Sequence, residues 1–329
     1  MKLIIQKYRD ADENRWDEFI EKNSLNGTFL QTRRFINYHA KDKFNDASLI
    51  ILNGTQIVAC ILACEYFEDG KKIFYSHKGT SFGGIIISRQ IYNTSCMTQL
   101  MDNFETYIEK MKYDECYLKM TPNIFAKDNM ELIEYFLFQR NYKQYNELNY
   151  YLWLKKYQED ILKNFSTSKR RDYRYSLRAP LEFKELIQKE DISSFYSILV
   201  QNLRRHKVQC VHTLEDLLDI KFNRFNERVK FFGVYLEENI IAGSMIFIFN
   251  ESVMHTQYLA ADKEFLQVYP MDFLIYNLIV EAKEAHMKYL TFGICTEDKG
   301  RYLNMGLSHF KEGFGTDYCV NRTFYKKYL

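Results

Sequence analysis

Residues 289–315, YLTFGICTEDKGRYLNMGLSHFKEGFG, decide the reading of this 329-residue chain. A short apolar strand, Tyr289 to Phe292, stops at Gly293. A polar loop follows, and LNMGLSHFKEGFG brings Asn304, His309, Lys311 and Glu312 together. Five of the 13 glycines lie between Gly293 and Gly315, and three more are Gly79, Gly83 and Gly84. Glycine serves where the backbone takes positive φ or approaches something closely. Two windows holding eight of them predict two shaped loops, either tight structural turns or the walls of a site.

Outward from this stretch, the preceding helix PMDFLIYNLIVEAKEAHMKY carries Met271, Leu274, Ile275, Leu278, Ile279 and Ala282 as one apolar stripe. Before it, Phe231 to Ala260 reads as a three-strand meander with turns at Glu238-Asn239 and Asn250-Glu251. The first half repeats the order. SLIIL, QIVACILACEYF and KIFYSH predict three strands joined by Asn53-Gly54 and Asp69-Gly70, since such pairs between apolar runs signal hairpins. The SHKGTSFGG loop, a helix over Thr98 to Met111 and a strand Glu115 to Met120 follow. Both crossover helices end in Met-Lys-Tyr, at Met111 to Tyr113 and Met287 to Tyr289. A repeat of this length predicts duplicated domains, 1-155 and 156-329. Upstream lie a strand Leu3 to Gln6, a helix Asp12 to Asn23 and a second helix in TFLQTRRFINYHAKDKF. Tyr145 to Leu154 predicts a strand that finishes the first sheet.

Composition narrows the function classes. A hydrophobic share of 47% supports real cores, and three prolines leave no flexible linker in view. A formal charge of +2 argues against coating a nucleic acid, while leaving room for one basic site. Seven cysteines without a repeating spacing predict reduced thiols and no zinc site. No window reaches 18 apolar residues, and the expectation is a cytoplasmic protein without a membrane span. The basic stretch is KNFSTSKRRDYRYSLR, where Arg170, Arg174 and Arg178 are spaced to share a helical face beside Lys169 and Arg171. Between Lys169 and Arg178 only Asp172 offsets five bases. Such a row holds phosphates bidentately or is a solvated face.

The order of elements resembles a tandem pair of GNAT-type acyltransferase domains, as in the FemAB-like peptidoglycan aminoacyltransferases and related proteins of surface-polysaccharide pathways. The segments that carry it are YLTFGI…GRYLNMGLSHFKEGFG, TFLQTRRFINYH, SHKGTSFGG, SKRRDYRYSLR and HTQYLAA, and together they span nearly the whole chain. The resemblance implies an α/β (α+β) fold of two GNAT-like domains, each a mixed, mainly antiparallel sheet flanked by helices. It places the family's functional lysine at Lys311. One departure stands out: the Gly-rich turn that cradles acetyl-CoA in ordinary GNAT enzymes is replaced by DKEFLQVYPMDF (262–273), without a glycine. The implied donor is therefore an acyl-CoA, an aminoacyl-tRNA or another activated acyl group.

Acyl transfer to an amine passes through a tetrahedral oxyanion, so the protein must position two substrates, stabilise that charge and move a proton. Lys311, Glu312 and Glu297 are the candidate catalytic residues, and His255 and His309 are further proton acceptors. His77, Lys78, Thr80, Ser81, Phe82, Gly83, Arg170, Arg171, Arg174, Gln257, Tyr258, Asn304 and Phe310 are the candidates for substrate binding. Metal-ligand spacings, a Ser-His-Asp signature and a Walker-type loop are absent from the sequence. The leading expectation is an N-acyltransferase acting on an amino sugar, a nucleotide-linked sugar or a peptidoglycan or surface-polysaccharide precursor. The alternatives are a catalytically silent pair of GNAT-like domains binding a carbohydrate or protein partner, and a weaker RNA-binding reading with tRNA as partner. The sequence is silent on the oligomeric state.

Overall fold

Most strands and crossover helices fall where periodicity puts them in the computed structural model, which describes residues 2–205 and 207–328. The chain forms two units, Met1–Glu147 with Val320–Leu329, and Leu148–Cys319.

The first unit contains β1 (Leu3–Lys7), α1 (Glu13–Glu18), α2 (Arg33–Ile36), β2 (Asn45–Asp46), β3 (Leu49–Asn53) and β4 (Gln56–Ile61). It continues with β5 (Cys64–Glu68), β6 (Lys71–Ser76), β7 (Ile85–Ile87), α3 (Thr94–Lys110), β8 (Glu115–Lys119) and α4 (Glu131–Gln139). Antiparallel pairing orders β1-β3-β4-β7. In a second ladder β2, β5 and β6 pair antiparallel, and β6 and β8 pair parallel. α3 buries Met97, Leu100, Met101, Phe104 and Ile108, a helical stripe that joins Phe74, Cys116 and Leu118 in the core.

Two expectations for this unit change. QIVACILACEYF is not one strand: it breaks at Leu62-Ala63, so β4 and β5 belong to different sheets. Ser48 makes the break affordable, because its hydroxyl donates to the Ala63 carbonyl (3.1 Å) and accepts from the Ala63 N–H (3.0 Å). An unbroken apolar run carries no mark of such a side-chain bridge. The second helix shrinks to the four residues of α2. Thr28 and Thr32 stay extended, and Thr32 caps α2 by accepting from the Phe35 N–H (3.1 Å).

The second unit follows from β9 (Lys143–Trp153), whose Leu148 to Trp153 lie in it. It comprises α5 (Thr167–Ser176), β10 (Leu181–Glu185), α6 (Lys189–Arg205), α7 (Leu214–Leu218), β11 (Val229–Leu236), β12 (Asn239–Phe249) and β13 (Val253–Ala261). Then come α8 (Pro270–Glu284), β14 (Tyr289–Ile294), the two-residue strands β15 (Thr296–Glu297) and β16 (Tyr302–Leu303), and α9 (Met305–Glu312). β10 to β13 form an antiparallel ladder, β14 joins β13 in parallel, and β9 pairs antiparallel with β14. α8 buries Leu274, Ile275, Leu278, Ile279 and Ala282 against Ile246, Met254 and Leu290. Each fully buried Leu or Ile of that stripe contributes roughly 1.5–3 kcal/mol. α6 packs through Phe195 over Gly243, where an added Cβ would lie 2.6 Å from the ring. The last strand, β17 (Asp317–Lys327), returns to the first unit, where Thr323 to Lys327 pair with β8. The basic helix α5 ends at Ser176, so Arg178 lies beyond it and does not extend the face of Arg170 and Arg174.

Candidate active site

In the second unit the parallel pair β13 and β14 makes only three register contacts, the last between His255 and Thr291, and then parts. Both strands are bent at the parting. β13 carries Gln257 as an extra residue against β12, and β14 shifts register against β9 between Thr291 and Gly293. Gly293 takes φ +70, a conformation that disfavours other residues, and an added Cβ there would meet the His255 ring at 3.4 Å.

Lys311 comes to this point from α9, whose first turn is fixed by Asn304: its side-chain oxygen accepts from the Leu307 N–H (3.0 Å). Only 4% of Lys311 is exposed, and its ammonium donates to the carbonyls of Gly293 (3.1 Å) and Ile294 (2.9 Å). It also lies 5.6 Å from the centre of the Tyr150 ring. Burial lowers its pKa and the neighbouring Cys295 thiol opposes that shift, while burial raises the pKa of the thiol itself. His255 shares a hydrogen bond with the Thr291 hydroxyl (3.1 Å) and is pushed down to about 3 by burial and then by the charge of Lys311. It is a neutral imidazole around neutral pH.

A second chain of polar groups runs along α9. The Tyr150 and Ser308 hydroxyls are 2.6 Å apart, Ser308 Oγ donates to Glu312 Oε1 (3.3 Å), and Tyr318 OH donates to the same oxygen (3.2 Å). Tyr150 and Ser308 are buried while Glu312 is half-buried, so the chain leads from beside Lys311 toward solvent.

The other expected residues separate. Glu297 is exposed on the β15–β16 hairpin, opposite Tyr302. Phe310 packs edge-on against Phe314, with Lys169 over both rings at 4.7 and 5.0 Å. Tyr258 OH is 2.6 Å from Nδ1 of His212, and His309 is exposed. On α5, Arg170 donates to Thr167 Oγ1 (3.3 Å), Arg171 pairs with its neighbour Asp172 (3.1 Å), and Arg174 is exposed. In the first unit, His77, Phe82 and Gly83 are buried and shape their loop. His77 Nδ1 accepts from the Gly79 N–H (2.9 Å), Phe82 stacks on Phe125, and the Gly83 N–H donates to the Lys119 carbonyl (2.8 Å). Lys78 and Ser81 are exposed and Thr80 is half-buried.

The N-terminus of α8, where this fold usually takes the diphosphate of an acyl donor, does not fit one. Tyr269 caps it in the left-handed region, Pro270 removes an N–H from the first turn, and Asp272 is buried there. Its carboxylate is 2.9 Å from Lys169 Nζ, with both side chains largely enclosed. Burial raises the pKa of Asp272 and Lys169 opposes the shift. The chain's own anion sits where a ligand's would. Sequence reading missed Tyr150, Thr291, Cys295, Ser308, Asp272 and the inward turn of Lys169, because only the meeting of β9, β14, α5, α8 and α9 gives them partners. Among the described residues, no group of three or more His, Cys, Asp or Glu side chains could hold a metal ion, and no helix is long and apolar enough to cross a membrane.

Residues 163–312 match the family model described as Acetyltransferase (GNAT) domain. No curated protein matches the sequence. Among solved structures, FemX is similar with a TM-score of 0.72 and 12% identity over 100% of this chain and 98% of that one. The C-terminal domain of a putative lysylphosphatidylglycerol synthetase from Agrobacterium fabrum gives a TM-score of 0.62 at 10% identity, covering 97% and 92%. A tandem GNAT protein from the clavulanic acid biosynthesis pathway gives 0.54 at 8%, covering 99% and 98%. At these identities the likeness speaks to fold. Residues 163–312 thus carry a match to a GNAT acetyltransferase domain, and the chain as a whole has a tandem, FemX-like fold.

Proposed function

We propose that the second unit transfers an acyl group, acetyl or aminoacyl, from an activated donor to the amine of an amino sugar, a nucleotide-linked sugar or a peptidoglycan or surface-polysaccharide precursor. The observation that carries this reading is the buried ammonium of Lys311 at the parting of β13 and β14, held by two backbone carbonyls. A cation with a fixed stem, enclosed away from water, suits charge that appears only in the transition state.

In the proposed reaction the acceptor nitrogen attacks the donor's acyl carbon, and the carbonyl oxygen becomes an oxyanion beside Lys311. Collapse breaks the bond to the leaving group, which departs with a proton, and leaves an amide. The proton lost by the amine passes to Glu312 through Ser308, whose hydroxyl bonds both Glu312 and Tyr150, and returns along the same path to the leaving group. Arg170, Arg171 and Arg174 of the second unit are proposed contacts for the acceptor's phosphates. The nature of two structural neighbours, FemX and a lysylphosphatidylglycerol synthetase, favours acceptors of the cell envelope.

Lys311→Met tests this. Methionine keeps the length and apolar stem without the charge, so the fold should survive with an unchanged or higher Tm. Turnover should fall about a hundredfold or more, corresponding to several kcal/mol of transition-state stabilisation. A loss smaller than about tenfold would remove Lys311 from the chemistry.

A further inference from the structure

Where β13 ends, the second unit holds a cavity of ≈ 190 Å³ lined by Gln201, Asn202, Arg204 and Arg205 from the end of α6, and by Asp262 and Lys263 after the strand. Three cations face one carboxylate, and that carboxylate is engaged, with Asp262 Oδ1 accepting from the Glu264 N–H (3.0 Å). Arg205 and the Asn202 amide donate to a single acceptor, the Ala261 carbonyl, at 3.3 and 3.4 Å. A guanidinium carries five N–H donors, so this contact fixes the position of Arg205 and leaves most of its donors unspent. Arginines in the last turn of a helix also offset its dipole. That role explains neither Lys263 nor the turning of Arg205 and Asn202 onto a carbonyl of another element.

We propose that this cavity binds the phosphate or diphosphate group of the activated acyl donor, taking the part that Asp272 denies to the N-terminus of α8. A cluster of guanidinium, ammonium and amide donors suits phosphate oxygens, which accept bidentate hydrogen bonds. The volume equals several waters at about 30 Å³ each, enough for a diphosphate but not for a whole nucleotide. Position supports the same ligand. β13 runs from the parting at His255 to the cavity at Ala261, and strands rise about 3.3 Å per residue, so about 20 Å separates them. A donor with a long arm would present its acyl carbon at Lys311 while its phosphates lie on Arg204, Arg205 and Lys263. An acyl phosphate is too short to reach both. The donor's identity as an acyl carrier rests on the acyltransferase reading; the phosphate site itself does not.

Isothermal titration calorimetry on the full chain separates the two, with inorganic pyrophosphate, coenzyme A and pantetheine as probes. Pyrophosphate and coenzyme A should bind, and pantetheine, which lacks the diphosphate, should bind at least about tenfold more weakly. The double variant Arg204→Ala, Lys263→Ala should weaken pyrophosphate and coenzyme A by about tenfold or more at an unchanged Tm. Lys311→Met should leave pyrophosphate binding as it was, so a failure at Lys311 does not touch this site. Wild-type affinity in the double variant, or no binding of pyrophosphate or coenzyme A to the wild type, overturns the proposal. So does a short single-stranded RNA that binds through Arg204 and Lys263 when neither small probe binds, because it makes the donor a nucleic acid.

Discussion

Each unit contains one parallel strand pair with a histidine near its end and a lysine, both lowered in pKa chiefly by desolvation: β6 and β8 with His77 and Lys119, and β13 and β14 with His255 and Lys311. The pairs end differently. β6 and β8 stay in register for four positions, and the glycine-rich loop then folds back over them. Gly83 donates to the Lys119 carbonyl and Gly84 lies against Met120. β13 and β14 separate after three positions, and the gap is met by an ammonium. Similar residues thus give a self-satisfied turn in one unit and a buried ammonium held by strand-end carbonyls in the other. What differs is whether the backbone groups at the strand ends are consumed by a loop or left facing a side chain.

The same substitution in both units is the strongest test of this contrast. Lys119→Met should leave kcat within about threefold, whereas Lys311→Met should lower it about a hundredfold. Equal losses would mean that both units take part in the chemistry. Next in size is Gly83→Ala, whose Cβ would lie 2.9 Å from the carbonyl carbon and oxygen of Ser76. Backbone cannot yield as a side-chain tip does, so about 1–3 kcal/mol of stability should be lost in urea unfolding. An unchanged midpoint would show that the first loop is not tightly closed.

Acid should act on both units through their histidines. His77 and His255 are each lowered from 6.5 to about 3, burial being the leading cause. Between those values the unfolded chain binds the protons and the folded chain does not, so stability is present above about 6.5 and is lost as pH falls toward 3. The loss should reach about 1.4 kcal/mol per pH unit for each histidine. His77→Asn keeps an acceptor for the Gly79 N–H and should remove one proton's share of that slope, measured from unfolding free energies at pH 7 and pH 5. A slope that does not change would mean that His77 is protonated in the folded protein. The smallest effect belongs to the basic helix. Arg171→Ala removes an exposed arginine from its pair with the neighbouring Asp172, and the Tm should stay unchanged.

Much of the fold was legible in advance because its signals are local. The stripe from Leu274 to Ala282 could only be a helix lying on a core, and the Asn-Gly and Asp-Gly turns set the hairpins. Glycines at Gly293 and Gly315 marked backbone with positive φ, and both have it. Lys311 stood out because it lies between an apolar anchor and glycines. The break at Leu62-Ala63 and the shortness of α2 were hidden, since each depends on one distant or capping hydroxyl, Ser48 or Thr32.

The sequence by itself determined the element order, the duplicated meander-and-crossover plan and the absence of a glycine cradle before α8. Those properties rest on backbone preference and on the period of apolar side chains, which neighbours in the chain already express. Only the tertiary structure decided what fills that missing cradle, which lysine turns inward and where the phosphate-sized cavity opens. Asp272 and Lys169 are over a hundred residues apart, as are Lys311 and Tyr150, and Arg205 meets Ala261 across 56 positions. Burial and charge pairing at such separations are properties of packed elements, so no local pattern records them.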